Sequence, residues 1–174
     1  MIKGYKAVYK DGTDKTGRKF EVGGKYRCDD KIAFTGDGDG IHFCARMEDS
    51  LRFVDGLSKD VKILEVVGSG TVIKDADNVY DYHDMYLVSD LEVKRELSRE
   101  EIINHFLNSN ELTTFRFLRS FKLGELEKEM FKLKFADNDV VQDAIAYYHE
   151  GDQGVYYRRF KAAKVKKVGE VSAQ

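Results

Sequence analysis

The chain has 174 residues, 42% hydrophobic and 34% charged, with 29 Lys and Arg against 31 Asp and Glu, enough for one sizeable core or a core with an appendage. A net charge of -2 excludes a uniformly basic nucleic-acid coat. Two cysteines, Cys28 and Cys44, make neither a disulfide framework nor a zinc pair. No apolar run of about 18 residues is present to span a membrane, and the first residues lack the apolar stretch of a signal peptide. A reduced, cytoplasmic setting is expected.

In chain order, the first half reads as strands. Tyr5, Ala7 and Tyr9 alternate with period two, as on a strand with one face against a core. Asp11-Gly12 breaks the run, and a polar stretch to Lys19 reads as a loop. Phe20-Glu21-Val22 and Lys25-Tyr26-Arg27-Cys28 are predicted as two short extended pieces around the Gly23-Gly24 turn. The glycine-rich segment from Thr35 to Gly40 feeds a strand, Ile41-His42-Phe43-Cys44-Ala45. Met47, Leu51 and Val54 then recur near helical spacing, with Gly56 as the stop. The β-branched run from Val61 to Ile73, interrupted by Gly68-Ser69-Gly70, predicts either two strands joined by a turn or one strand with a bulge. Met85 to Val88, extended by Leu91 and Val93, closes the β-rich half.

Ser98-Arg99-Glu100-Glu101 fits a capping box, and Ile102, Ile103, Phe106 and Leu107 give an amphipathic stripe behind it. Three further helical patterns follow, around Leu112 to Phe121, Leu126 to Leu133, and Val140 to Tyr148, the last with Asn138 as N-cap candidate and Gly151 as stop. The expected fold class is α+β: an N-terminal β-rich mixed or antiparallel sheet domain with a short helix over residues 1–97, and a small helical bundle over 98–152. Residues 153–174 form a basic tail that packs on the helices or extends from them.

Several groups of residues bear on chemistry. Asp37-Gly38-Asp39-Gly40 has the carboxylates and glycine of a calcium loop, but aligning Gly40 with the loop glycine puts Thr35 first and Arg46 where a bidentate Glu belongs. An acidic turn is therefore expected, and no metal. His42 and Cys44 lie two positions apart on one strand, about 7 Å apart by strand rise, so a thiolate–imidazole pair needs a backbone bend. Cys44 as a small buried hydrophobe is the expectation. Tyr80, Tyr82, His83, Asp84 and Tyr86 form an aromatic and acidic cluster that either lines a ligand cleft or covers core. Net charge is uneven: residues 153–174 carry six basic side chains and one acidic, +5, leaving -7 for residues 1–152. Within that tail, Tyr156, Tyr157, Arg158, Arg159, Lys161, Lys164, Lys166 and Lys167 interleave rings and cations around Phe160. Stacking with phosphate neutralisation is how single strands and structured RNA are held. The same cations suit an acidic protein surface, and the alternative is a solvated basic end.

Gly4-Tyr5-Lys6-Ala7, the segment from Phe20 to Tyr26, and Gly40-Ile41-His42-Phe43-Cys44 with the short helix after it resemble an uncharacterised domain family frequent in phages and prophages, over about residues 1–97. That resemblance implies a mobile-element origin and no particular reaction. More distantly, Gly40 to Phe53 and Tyr86 to Asp90 resemble the ADP-ribosyltransferase fold, in which an early His or Arg, a strand tyrosine and a late Glu position NAD. On that resemblance Tyr5 or Lys6 stands near the first place, His42 at the second, and Met85 or Asp84 at the third, so no member of the triad is intact. Tyr5, His42 and Asp84 are thus the catalytic candidates, and no cofactor is expected.

The expected function is that of a phage or mobile-element accessory protein that binds a host macromolecule, either a protein or a ribonucleoprotein. A bacterial defence complex such as a CRISPR nuclease with its guide RNA is one example, which would make the protein an anti-CRISPR factor in the host cytoplasm. The alternative is an enzyme, either a degenerate ADP-ribosyltransferase or an RNA-cleaving protein with His42 or His149 as acid–base.

Overall fold

The computed structural model describes residues 1–28, 31–33, 39–75 and 84–155. Its strands are β1 (Ile2–Tyr9), β2 (Lys25–Arg27), β3 (Ile41–Cys44), β4 (Val61–Lys74) and β5 (Met85–Glu96). A one-turn helix α1 (Met47–Ser50), continued by a 3-10 turn over Leu51–Phe53, lies between β3 and β4. After β5 come α2 (Arg99–Leu107), α3 (Glu111–Leu118), α4 (Glu125–Lys134) and α5 (Asp139–His149). The α+β class read from the sequence is the observed one.

All strand pairings are antiparallel, in the order β2-β5-β3-β1-β4. Because β5 also pairs with β4, the four strands β5, β3, β1 and β4 close on themselves as a small barrel. β3 and β2 share one edge of β5 in tandem, β3 against Met85 to Val88 and β2 against Asp90 to Glu92. Of the two readings of Val61 to Ile73, the single strand with a bulge is realised: the β4–β5 register shifts between Ser69 and Val72. Gly70 sits there at φ 73°, a left-handed conformation that glycine adopts at low cost.

The period-two reading of β1 found only one of its two buried faces. Gly4, Lys6 and Val8 are buried along with Ala7, because a closed barrel covered by helices leaves this strand no solvent side. Inside the barrel lie Val8, Phe20, Ile41, Phe43, Leu64, Val66, Leu87 and Val93. Outside, Ala7, Ile63 and Leu97 join Met47, Leu51 and the inward residues of α2 to α5 in a second cluster centred on Phe106, Phe117, Phe121 and Phe131. The Phe106 and Phe117 rings stack with centroids 4.0 Å apart.

Two expected elements differ. Residues 20–22 form no strand; the Phe20 amide donates to Gly12 O at 2.8 Å, and its ring is buried in the barrel, so the segment follows the preceding loop. The helix from Met47 ends as a 3-10 turn, with Val54 already extended. The capping box forms as read: the Glu101 amide donates to Ser98 Oγ at 3.1 Å and the Ser98 amide to Glu101 Oε2 at 2.7 Å. Asn138 caps α5 through the Val141 amide.

Candidate functional site

β1 and β3 share a single rung, Tyr5 opposite Cys44. Beyond it the strands part, and a cavity of about 380 Å3 opens between Tyr5, Lys6 and Ala7 on one side and His42, Phe43 and Cys44 on the other. Asp14 and Thr16 of the loop after β1 close one end, and Ser50 and Phe53 complete the wall.

Lys6 bridges the gap. Its ammonium is 3.0 Å from Asp14 Oδ2 and donates at 3.0 Å to the His42 carbonyl, which a longer β1–β3 ladder would have satisfied with a backbone amide. It also lies 4.5 Å from the centre of the Phe20 ring. Burial lowers the Lys6 pKa, and the neighbouring Asp14 carboxylate offsets only part of that cost. Asp14 is held in turn by its own loop, its Oδ1 accepting from the Thr16 amide at 2.9 Å and the Thr16 hydroxyl at 2.6 Å. Burial would raise its pKa, but the Thr16 hydroxyl and the Lys6 charge outweigh burial and hold the carboxyl below its ordinary value.

The other reactive side chains are quiet. His42 stacks on Phe53, with centroids 6.4 Å apart. Burial, then the Lys6 charge, pulls its pKa down, so the ring is neutral at neutral pH. Cys44 is fully buried, and burial, then Asp49, pushes its thiol up to about 12; a thiolate–imidazole pair does not form. Ser50 Oγ already donates to Met47 O at 2.7 Å.

Of the three catalytic candidates, Tyr5 and His42 meet in this cavity and Asp84 does not. Asp84 opens β5, with Lys74 Nζ at 3.4 Å and Arg46 Nε at 3.8 Å. Tyr86 stacks on Phe43 at 5.4 Å and covers the barrel, while Tyr80, Tyr82 and His83 lie outside the described residues, as do Tyr156, Tyr157, Arg158, Arg159, Lys161, Lys164, Lys166 and Lys167. His149 lies in the helical layer, its Nε2 2.7 Å from Leu118 O. Among the described residues no three His, Cys, Asp or Glu side chains converge as a metal site, and no helix is long and apolar enough to cross a membrane. Asp14, Ser50 and Phe53 were not singled out by sequence; only the Asp14-x-Thr16 turn signal marks any of them.

A family model described as a domain of unknown function (DUF7666) matches residues 2–105, which cover the barrel, α1 and most of α2. No curated protein and no solved structure matches the chain.

Proposed function

We propose, for a chain that belongs to this family of domains of unknown function, that it acts by binding rather than by catalysis: an accessory protein, encoded by a phage or another mobile element, that engages a host ribonucleoprotein. The observation that carries binding over catalysis is the state of the β1–β3 cavity. Its lysine and carboxylate are spent on each other, its thiol stays protonated, and its serine is bonded to backbone, whereas a nucleophile needs an adjacent base or a lowered pKa. Nucleic acid as part of the partner is supported by the tail, whose six cations and interleaved rings follow a body of charge -7. A defence complex that carries a guide RNA is one such partner.

The test is RNA binding by the full chain with Arg158, Arg159, Lys161 and Lys164 replaced by Ala. Affinity falls and the salt dependence flattens, by roughly 0.7 in slope for each phosphate no longer neutralised; unchanged affinity overturns the tail as the binding segment. The second reading, an enzyme of the ADP-ribosyltransferase type, is favoured by the meeting of Tyr5 and His42 in one cavity. Incubation with NAD and with RNA, followed by mass and gel analysis, separates the two: a product that disappears in His42→Ala overturns binding alone.

A further inference from the structure

Helix α4 presents two apolar faces, and the helical layer covers one of them. Lys128 and Phe131 are buried on the inner side, Phe131 within the cluster of phenylalanines, and Glu127 beside them holds Arg99. At about 100° of rotation per residue, Leu126, Met130 and Leu133 fall within about 60° of one another on the opposite side. They are 76%, 38% and 82% exposed. Single exposed leucines are ordinary. Here three of the seven large apolar side chains exposed among the described residues lie on one stripe of a helix of 10 residues.

Spacing and charge together define what fits that stripe. Intervals of four and then three residues are those of the seam between paired helices. Along the flanks, charge runs from acidic to basic: Glu125 and Glu127 stand in the first turn, Glu129 in the middle, and Lys132 and Lys134 in the last turn. The helix dipole accounts for that gradient, but not for the leucines exposed beside it. Two copies of α4 set antiparallel place Leu126 of each opposite Leu133 of the other, with Met130 near the two-fold axis, and bring the acidic first turn of each to the basic last turn of the other. Set parallel, like charges would meet at both ends. Within one copy Lys132 already pairs with Glu129 at 3.2 Å and Glu150 at 2.6 Å, but such pairs at a surface are weak and exchange readily.

We propose that α4 is a self-association surface, on which a second copy of this chain docks through its own α4 in an antiparallel, two-fold symmetric contact. A two-fold interface uses the same patch on both copies, and α4 is complementary to itself in both its apolar stripe and its charges. Three apolar side chains per copy make a small interface, so the dimer is weak and forms only as concentration rises. The stripe lies beyond residue 105, outside the segment that the family model matches. The dimer does not depend on whether the chain binds RNA.

The test is sedimentation velocity of the full chain from micromolar to millimolar concentration. Wild type is expected to pass from monomer to dimer over that range, and Leu126→Glu/Leu133→Glu to need at least about tenfold more protein. Both leucines are exposed, so this variant keeps the wild-type thermal transition, and loss of the dimer is then not loss of the fold. Orientation is read from cross-linking under mild oxidation, in which the buried Cys28 and Cys44 do not compete. A mixture of Leu126→Cys and Leu133→Cys chains should form a disulfide dimer, and either variant alone should form none, because like positions in the antiparallel pair stand about 10 Å apart along the helix axis, beyond disulfide reach. Cross-linking of Leu126→Cys with itself overturns the antiparallel arrangement. A dimer that survives Leu126→Glu/Leu133→Glu overturns α4 as the surface. A wild type that stays monomeric at every concentration overturns self-association and leaves the stripe to the chain's own tail or to a foreign helix.

Discussion

Lys6 is the residue on which the barrel seam depends. An ammonium at 6% exposure is stable only while something opposes its charge, and Asp14 does so from a loop that closes over the strand. Breaking a buried ion pair by removing one partner costs about 3–5 kcal/mol, because the other is left uncompensated. Asp14 keeps 14% of its side chain exposed and retains its Thr16 bonds, so Lys6→Met should cost about 2 kcal/mol. Lys6→Met/Asp14→Asn is expected to recover about half of that, measured by urea unfolding of the four-member cycle. Strict additivity of the two single changes would show that the pair is not coupled. The carboxyl is held below its ordinary value, so its contribution is present at neutral pH and disappears as the pH falls through that lowered value. The resemblance singled out Tyr5 or Lys6 and His42, all of which line the cavity, but alternation puts Lys6 on the strand face opposite Tyr5, Ala7 and Tyr9, the face a half-buried strand turns to water. Nothing local reveals that the face is a barrel lumen or that Asp14 reaches it.

Elements that depend on near neighbours were legible; those that depend on distant ones were not. The Ser98 capping box, the Asn138 cap and the Gly151 stop rest on interactions within a few residues, and each was readable. Barrel closure rests on Ile2 to Tyr9 meeting Val61 to Gly68, which leaves no local mark. It does leave a mark in glycine: Gly4 and Gly68 both face the Phe43 ring, and a Cβ on Gly68 would stand 2.5 Å from Phe43 Cε1 and 2.9 Å from Val88 Cγ1. The lumen is filled at this level by one phenylalanine, and the glycines are the space it occupies. Gly68→Val should therefore overpack the barrel and cost about 1–3 kcal/mol, read as a lower urea midpoint at unchanged slope. Phe43→Leu in the same chain should restore part of it, and a Gly68→Val protein as stable as wild type would show that the lumen has room to spare.

At the scale of the whole molecule, the issue is whether barrel and helices are one folding unit. Composition divides the sequence at about residue 97, and the division is real in secondary structure. Packing crosses it: Ala7 and Ile63 of the barrel share a cluster with Phe106, Phe117 and Phe131. A chain cut after residue 105, where the family match ends, retains Ile63, Leu97, Ile102 and Ile103 but lacks Phe117, Phe121, Phe131 and Ile145, against which they are buried. Exposed aliphatic surface of that kind contributes nothing to folding, and each such side chain forgoes about 1.5–3 kcal/mol. We therefore expect the full chain to unfold in one transition, with far-UV circular dichroism, weighted to the helices, coinciding with tyrosine fluorescence, weighted to the barrel. We expect a fragment of residues 1–105 to show no cooperative transition. Separate midpoints in the full chain, or a sharp transition in the fragment, would make the helical layer an independent attachment.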